Sequence, residues 1–171
     1  MWKRVPDLSE VKSLYYSVTP RPNRDDRLLK TFADEYRAFC YYPSYELRNL
    51  KPLAFAVICN LPKNKVIVID LFAIEFKIRK KGYARQIFWS LIVQLPKLWP
   101  EIEDYHNRWI LEAYSHNVNS WCRIMNMKPV ETTIKPLYLN NPIKLLQHGV
   151  DNVNDAYKEW QEFQLNWRSD K

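Results

Sequence analysis

A run of β-type residues leads through a basic turn into an apolar-periodic stretch, and this succession constrains the fold more than any other part of the chain. Residues 66–74 read VIVIDLFAI, which is typical of a largely buried strand, and residues 84–95 carry apolar side chains at helical spacing. The connecting turn contains Gly82, one of only two glycines in the chain. The sequence therefore predicts a strand, a turn and a helix N-terminus in immediate succession.

The turn is strongly basic, because Arg79, Lys80, Lys81 and Arg85 surround Gly82. The first amides of a helix have no partner within the helix, and the helix dipole adds partial positive charge at the same end. Together these groups predict an anion site that suits a phosphate or a pyrophosphate. The alternative interpretation is a solvated basic turn that holds no ligand.

The pattern Arg79-x-x-Gly82-x-Ala84, preceded by a strand that ends at Ile74, resembles the acetyl-CoA signature of the GNAT superfamily of N-acetyltransferases. That signature is commonly written Arg/Gln-x-x-Gly-x-Gly/Ala. The resemblance covers approximately residues 25–145. It implies a GNAT domain that uses acetyl-CoA as its cofactor.

A second segment of the sequence is also similar to the family. The strand at 110–113 is followed by Asn117, by a short helix, and by residues 126–130 (NMKPV), which resemble the family's Gly-Phe-Lys-Pro turn. Asn126 takes the place of the glycine, and asparagine is among the few other residues that adopt left-handed backbone readily. Trp121 and Cys122 fall where the family has a Leu-Tyr pair.

The resemblance implies a set of cofactor contacts made mainly by the main chain. The end of the strand would pair with the pantetheine amides, an N–H near its last residue would polarise the thioester carbonyl, and the turn would hold the pyrophosphate. The implied cofactor-binding residues are Phe72, Ala73, Ile74, Arg79, Lys80, Lys81, Gly82, Tyr83, Ala84, Arg85 and Asn117. The amine would attack the acetyl group directly in a ternary complex, with neither a metal nor a covalent intermediate.

The candidate general base is Asp70, a carboxylate within an otherwise apolar strand. Such a group is costly to bury unless it is paired or faces a cleft. An ammonium acceptor must lose a proton before it attacks, so a base is required. Strand alternation predicts that residues 68, 70, 72 and 74 share one face. Glu112 on the next strand is the second candidate, and the alternative for Asp70 is a carboxylate that is satisfied by a neighbouring loop.

The candidate general acid is Cys122, because the family's tyrosine at this place often protonates the departing CoA thiolate. A cysteine has an ordinary pKa of about 8.5 and could donate a proton. The alternative interpretation is a small apolar residue on a buried helix face. Tyr83, Tyr114 and Ser115 are other hydroxyl donors nearby in the sequence.

The order of predicted elements indicates an α/β (α+β) fold of the GNAT type, with a mixed, mostly antiparallel sheet flanked by helices. We expect one domain over residues 1–171, with its motif core at 53–130. Helices are predicted at 7–18, 25–39, 84–95 (stopped by Pro96), 117–125 and about 151–167, and strands at 53–60, 66–74, 109–114 and 132–139. The family's first strand is not evident, and the C-terminal helix is an addition to the family's order.

Composition limits the remaining choices. Of 171 residues, 47% are apolar and 15% aromatic, which excludes a disordered chain. No apolar run approaches 18 residues and the first residues lack the apolar segment of a secretory signal, so we expect neither a membrane helix nor secretion. The three cysteines and three histidines lack metal-ligand spacing, which favours reduced thiols in the cytoplasm and no structural zinc.

The net charge of +7 predicts an acidic partner, and a polyphosphate cofactor meets part of that need. The favoured function is therefore acetyl transfer to an amine of a small molecule or a protein. The alternative is a basic GNAT-like module that binds nucleic acid or a partner protein, with aromatic-basic residues at 2–4 and 166–168 as its contacts.

The predicted C-terminal helix carries an apolar stripe that must be covered, either by this domain or by a second copy of it. The stripe consists of Val153, Ala156, Tyr157, Trp160, Phe163 and Trp167. Both a monomer and a homodimer are compatible with it. Packing within the chain is favoured, because a single chain must also cover its open sheet.

Overall fold

The structure, a computed structural model, describes residues 1–5, 12, 34–43, 51–75, 78, 82–136 and 143–169. Residues 167–169 are described by their backbone alone. The strands are β1 (Trp2–Arg4), β2 (Tyr36–Tyr41), β3 (Ala54–Leu61), β4 (Val66–Ile74), β5 (Trp109–Tyr114), β6 (Lys128–Val130) and β7 (Ile143–His148). The α-helices are α1 (Tyr83–Leu98), α2 (Val118–Met125) and α3 (Val153–Ser169). No helix within these ranges is both long and apolar enough to cross a membrane.

The strands form one sheet in the order β1-β2-β3-β4-β5-β7-β6. Every neighbouring pair is antiparallel except β4 and β5, which are parallel. A parallel pair needs a crossover connection, and α1 supplies it between these two strands. The predicted mixed, mostly antiparallel sheet with flanking helices and an added C-terminal helix is confirmed.

Helices cover both faces of this sheet, and each face has its own buried cluster. The α1 face includes Trp2, Phe39, Ile58, Ile67, Ile69, Phe72, Phe88, Leu91, Trp109 and Met125. The α3 face includes Tyr36, Ala38, Cys40, Phe55, Val57, Cys59, Val68, Ile110, Tyr157 and Trp160. Consecutive residues of β3 alternate between the two clusters, as strand geometry requires.

Five of the predicted elements are confirmed with small shifts of their ends. The strands at 53–60, 66–74 and 109–114 are β3, β4 and β5, and the helices at 117–125 and about 151–167 are α2 and α3. The helix predicted at 84–95 is α1, which continues through Pro96 to Leu98. Proline costs little so near the helix end, where Trp99 N–H still donates to the carbonyl of Leu95 at 2.7 Å.

The helix predicted at 25–39 is wrong over its last residues, which belong to β2, whereas residues 25–33 lie outside the described part of the chain. Tyr36, Ala38 and Cys40 lie on the α3 face and Phe39 on the opposite face. Pairing with β3 along the whole strand outweighs the helical spacing that Tyr36 and Phe39 also satisfy. The helix predicted at 7–18 lies outside the described residues, apart from position 12.

The family's first strand, which the sequence did not reveal, is β1. Three residues are too few to show an alternating pattern, but all three pair with β2. Trp2 is buried, and its indole N–H lies 3.0 Å from both the carbonyl of Ile87 and Oγ of Ser90 on α1. These contacts hold the sheet edge against the helix.

The strand predicted at 132–139 is also wrong, because residues 132–136 have no strand and 137–139 lie outside the described residues. The strand is β7, which starts at Ile143 and pairs with β5 on one side and β6 on the other. Its sequence, IKLLQH, does not alternate regularly, so periodicity could not locate it. Part of the predicted Gly-Phe-Lys-Pro-like turn forms the short strand β6.

The apolar stripe of α3 packs on this chain's own sheet, as favoured from the sequence. Val153, Ala156, Tyr157 and Trp160 are buried, and the side chain of Trp167 lies outside the described residues. The Glu159 carboxylate, also buried, accepts hydrogen bonds from the backbone amides of residues 63 and 64, at 3.1 and 3.0 Å. These bonds fix α3 to the β3–β4 hairpin.

Candidate active site

The parallel strands β4 and β5 pair with each other over only two residues of each strand. Ile67 pairs with Trp109 and Val68 with Ile110, although β4 continues to Ile74 and β5 to Tyr114. Beyond these pairs the two strands separate at their C-terminal ends. We call this opening the β4–β5 cleft, and an opening at the C-terminal ends of parallel strands is where α/β sheets commonly bind ligands.

A β-bulge in β4 lies at the start of the cleft. Val57 of β3 pairs with Leu71 and Ile58 pairs with Ile69, so Asp70 is the extra residue between them. Such an insertion reverses the alternation of all later side chains. Val68 lies on the α3 face, whereas Phe72 lies on the α1 face. The prediction that residues 68, 70, 72 and 74 share one face is therefore wrong.

Asp70 is half-buried, and its charge acts on a tyrosine of the α3 face. Burial, followed by the charges of Cys59 and Asp70, raises the pKa of Tyr36 far above its ordinary value. The indole N–H of Trp160 donates to the Tyr36 hydroxyl at 3.2 Å. Tyr36 is therefore a buried phenol that α3 holds in place, on a strand separated from β4 by β3.

Glu112 occupies the corresponding position of β5. Val68 and Ile110 are the last residues through which β4 and β5 pair with each other, and Asp70 and Glu112 each follow by two positions. Alternation from Ile110 puts Glu112 on the α3 face. The Tyr157 hydroxyl is hydrogen-bonded to this carboxylate, and burial, followed by the charge of Glu112 and this bond, raises the pKa of Tyr157. A carboxylate of each strand therefore flanks the cleft, and a tyrosine of α3 lies beside the one on β5.

The N-terminus of α1 follows the end of β4 and has the backbone that the signature requires. Gly82 is its N-cap, with φ 77° and ψ 5°, a left-handed conformation that favours glycine. A Cβ built on Gly82 would meet no atom of the described residues within 4 Å. The first turn of α1 contains no acidic residue, and no described side chain caps it. This first turn is the part of the predicted anion site that lies within the described residues.

The other predicted residues of the basic turn lie in different surroundings. Tyr83 and Arg85 are exposed, and Ala84 packs partly against the α1-face cluster. Arg79, Lys80 and Lys81 lie outside the described residues. The geometry of the turn is thus established only from Gly82 onwards.

The predicted pantetheine-binding residues are the last three of β4, at the open side of the cleft. The side chains of Phe72 and Ile74 are buried on the α1 face and that of Ala73 on the α3 face. The Phe72 ring meets Phe88 and Trp121 edge-on, with centroids 5.6 and 6.1 Å apart. Packing fixes this backbone in position, and β5 does not pair with it.

Asn117 and Cys122 lie on the α2 side of the cleft. Asn117 is the half-buried N-cap of α2, directly after β5 and a short 3₁₀ segment. Cys122 is half-buried against the α1-face cluster, and burial raises the pKa of its thiol. At the end of α2, Asn126 has φ 50°, the left-handed conformation expected of it.

The structure groups some of the predicted catalytic residues and separates others. Asp70 and Glu112 lie at corresponding positions of β4 and β5, whereas Cys122 packs on the α1 face. Among the other hydroxyl donors, Tyr114 is exposed and stacks on His116, with ring centroids 5.9 Å apart. The two candidate carboxylates are thus on the strands of the cleft, and Cys122 is on the helix that follows β5.

Sequence reasoning missed Tyr36 and gave Tyr157 only a packing role. Tyr36 had been placed in a helix, although Tyr36, Ala38 and Cys40 alternate as a strand does. The position of Tyr157 in an apolar helical stripe gave no sign of its hydroxyl partner. A phenol in such a stripe must still find a partner when it is buried, and this rule could have indicated a role beyond packing.

The sequence matches no protein-family model and no curated protein. Solved structures do resemble it. A GNAT-family acetyltransferase from Bacteroides thetaiotaomicron has a TM-score of 0.61 at 15% identity, over 97% of this chain and 94% of that chain. A chimera of the Vibrio cholerae spermidine N-acetyltransferase SpeG and hSSAT also has a TM-score of 0.61, at 7% identity over 86% and 94% of the two chains.

A Bacillus subtilis acetyltransferase in complex with CoA has a TM-score of 0.56 at 12% identity, over 86% of this chain and 96% of that chain. These identities are too low to transfer an activity, but the likeness extends over nearly the whole length of each chain. The chain has the fold of the GNAT acetyltransferases.

Proposed function

We propose that this protein is an acetyl-CoA-dependent N-acetyltransferase that transfers an acetyl group to a primary amine of a small molecule or a protein. The observation that carries the proposal is the β4–β5 cleft, with the uncapped N-terminus of α1 at Gly82 directly after β4. The GNAT fold supports the same activity, and one protein of this fold was solved with CoA.

The cofactor would lie along the open side of β4. Backbone groups of Phe72, Ala73 and Ile74 would pair with the pantetheine arm, as a strand does in β-augmentation. Amides from Arg79 to Ala84 would hold the pyrophosphate, with Arg85 adding positive charge. Asn117, at the start of α2, would hydrogen-bond the pantetheine arm from the other side of the cleft.

The reaction would proceed by direct attack in a ternary complex. The acceptor enters as an ammonium, and the Asp70 carboxylate takes one proton from it, so that an N–H bond breaks and an O–H bond forms. The neutral amine attacks the thioester carbonyl and forms the C–N bond, and a backbone N–H near Ile74 would stabilise the carbonyl oxygen. The C–S bond then breaks, the nitrogen loses its second proton to solvent as the amide forms, and the CoA thiolate takes up one proton from a donor or from water.

Cys122 is the candidate donor, because it stands at the place of the family's tyrosine. Its raised pKa keeps the thiol protonated at neutral pH, so a proton is available. The same raised pKa makes the thiol a weaker acid, and its packing against apolar side chains supports the alternative of a core residue. The other hydroxyl donors of the sequence analysis, Tyr83, Tyr114 and Ser115, are exposed.

The alternative function, a basic module for nucleic acid, loses one of its two predicted contacts. Trp2 is buried beneath β1, so its ring is not available to stack on a base. The side chain of Trp167, in the other contact, lies outside the described residues. A cytoplasmic location remains part of the proposal.

The activity is tested by incubating the full chain with acetyl-CoA and a panel of primary amines, and measuring the release of CoA thiol. The panel contains benzylamine, 1,4-diaminobutane, spermidine and a lysine-containing peptide, since one structural neighbour is named for spermidine. We expect acetylation of at least one amine. Thiol release that is the same with and without every amine would reject the proposal.

The cofactor site is tested separately with two variants of Gly82 that have nearly the same shape. Asparagine and aspartate both tolerate left-handed backbone, and a Cβ at Gly82 meets no atom of the described residues within 4 Å. Gly82→Asp places a negative charge beside the pyrophosphate, and we expect CoA affinity in calorimetry to fall by at least about tenfold. Gly82→Asn should retain affinity within about threefold. Equal affinities in the two variants would show that the anion site lies elsewhere.

A further inference from the structure

The helix α3 brings a buried tyrosine to one of the two carboxylates at the cleft. Tyr157 and Trp160 are one turn apart on the same face of α3, and both are buried. After burial, the charge of Glu112 and a hydrogen bond with it raise the pKa of Tyr157, so this hydroxyl and this carboxylate are neighbours. Trp160 donates to the Tyr36 hydroxyl at 3.2 Å. The added helix therefore reaches the β5 side of the cleft through a polar group as well as through apolar packing.

The two carboxylates are suited to different tasks. Asp70 is the extra residue of a β-bulge, and bulges commonly redirect a side chain next to an active site. Glu112 lies in a regular strand, opposite Leu145 of β7, and a phenol from α3 holds it. A carboxylate that is fixed on one side by a hydroxyl is a rigid hydrogen-bond acceptor.

A carboxylate has about four acceptor positions and can hold a tyrosine hydroxyl and an ammonium group at the same time. A hydrogen bond between an ammonium and a carboxylate is charge-assisted and is stronger than one between neutral groups. Glu112 is half-buried at the cleft, which strengthens such a bond relative to one in bulk water.

We propose that Glu112 binds and orients the ammonium group of the acceptor, and that Tyr157 is a positioning residue which holds the Glu112 carboxylate in place. The inference rests on the proposed function and extends it. Asp70 accepts the proton, whereas Glu112 supplies binding and direction. The added C-terminal helix is then a functional part of the acceptor site.

The test separates amine binding from turnover. Glu112→Gln keeps an oxygen for the Tyr157 hydroxyl but loses the charge, and we expect KM for the amine to rise about tenfold with kcat changed less than about threefold. Tyr157→Phe keeps the ring and should raise the same KM about threefold. KM for acetyl-CoA should remain unchanged in both variants.

The double variant distinguishes positioning from a general structural effect. If Tyr157 acts through Glu112, then Glu112→Gln combined with Tyr157→Phe should have the amine KM of Glu112→Gln alone. If the two substitutions acted independently, the increases in the amine KM of the two single variants would multiply in the double variant. Tyr105→Phe is the matched control, because it also removes a buried tyrosine hydroxyl, one that donates to Oδ1 of Asn60 at 2.6 Å. It should leave the amine KM unchanged.

The outcomes are distinct for the two proposals. If the wild-type chain acetylates no amine of the panel, the proposed function fails and this inference fails with it. If the wild-type chain is active and the amine KM is the same in Glu112→Gln and in Tyr157→Phe as in the wild type, the inference alone is rejected. If the increases in the amine KM multiply in the double variant, the positioning role of Tyr157 is rejected and the ammonium-binding role of Glu112 is retained.

Discussion

The two faces of the sheet use aromatic residues in different ways. On the α1 face, Phe88 meets Phe72 and Trp109 edge-on, with centroids 5.6 and 5.5 Å apart, and aromatic contacts of this kind dominate the described cluster. On the α3 face, the hydroxyls of Tyr36 and Tyr157 are buried, and the charges of Asp70 and Glu112 contribute to their raised pKa values. The α1 face has polar groups too, such as the Tyr105 hydroxyl that donates to Asn60 at 2.6 Å, but the carboxylates of the two cleft strands act on the phenols of the α3 face.

The difference follows from the position of a single inserted residue. The bulge at Asp70 places Phe72 and Ile74 in the apolar cluster of the α1 face. In a regular strand Val68 and Phe72 would share one face, whereas here they lie on opposite faces. The bulge therefore changes the face on which each side chain at the end of β4 packs.

The largest expected effect concerns packing on both faces. Phe88→Ala and Trp160→Ala each remove a large buried side chain, and we expect each to lower the free energy of unfolding by about 3–5 kcal/mol. Urea unfolding measures this change. Equal losses would show that both faces stabilise the fold to the same extent. A wild-type dimer that Trp160→Ala converts into a folded monomer would show instead that this side chain supports association.

The second prediction tests the chemical role of a carboxylate that acts on the α3 face. Asp70→Asn should lower kcat by about a hundredfold, since general base catalysis contributes effects of this order. CoA affinity should not change, because the proposed CoA contacts are the main chain of residues 72–74 and the turn that follows, not the Asp70 side chain. A variant that keeps both its rate and the pH dependence of its rate would exclude Asp70 as the base.

The third prediction concerns stability at alkaline pH. The pKa values of Tyr36 and Tyr157 are raised by burial, so both stay protonated in the folded chain while the unfolded chain ionises near its ordinary pKa of about 10. The stability that these two neutral hydroxyls contribute is complete below pH 10, and it is lost as the pH rises toward their pKa values in the folded chain. Above pH 10, each tyrosine lowers the free energy of unfolding by up to about 1.4 kcal/mol per pH unit.

Tyr157→Phe should therefore show a shallower loss of stability between about pH 10 and 11 than the wild type. Chemical unfolding at several alkaline pH values measures this slope. Tyr83→Phe, a change at an exposed tyrosine, is the control and should follow the wild type. Identical slopes in all three proteins would contradict the buried state of the α3-face phenols.

The smallest expected effect is at Cys122 on the α1 face. Cys122→Ala removes a half-buried thiol that packs on apolar side chains, so we expect a loss of about 1 kcal/mol or less in stability and a change in kcat below about threefold. A loss of kcat of about a hundredfold would establish the thiol as the proton donor. The α1 face would then also carry chemistry.

Local patterns in the sequence were sufficient to predict the middle of the fold. The strands β3, β4 and β5 are apolar runs, α1 and α2 follow helical spacing, and Asn126 adopts the left-handed conformation expected at a glycine position. The strands β1 and β6 are too short to show alternation, and the apolar residues of β2 fit both the helical period and the strand period. Their positions depend on pairing with other strands.

The candidate site could be predicted only in part, for a related reason. Asp70 stood out because it is charged within an apolar strand, but a bulge of one residue leaves no mark in composition or periodicity. The pairing of Tyr157 with Glu112 joins a helix to a distant strand and depends on how α3 lies on the sheet. Sequence therefore indicated which residues could react, and the structure showed which of them are neighbours.

The attachment of α3 also has a consequence for the order in which the molecule assembles. Glu159 bonds to the backbone of residue 63, and Trp160 bonds to Tyr36, which it follows by 124 positions. Contacts at such separations form late, because long loops must be closed before they contribute. During synthesis the α1 face can assemble from residues that leave the ribosome earlier. The tyrosine–carboxylate contact on the β5 side of the cleft becomes complete only after α3 has emerged, so a nascent chain would acquire its core before its acceptor side.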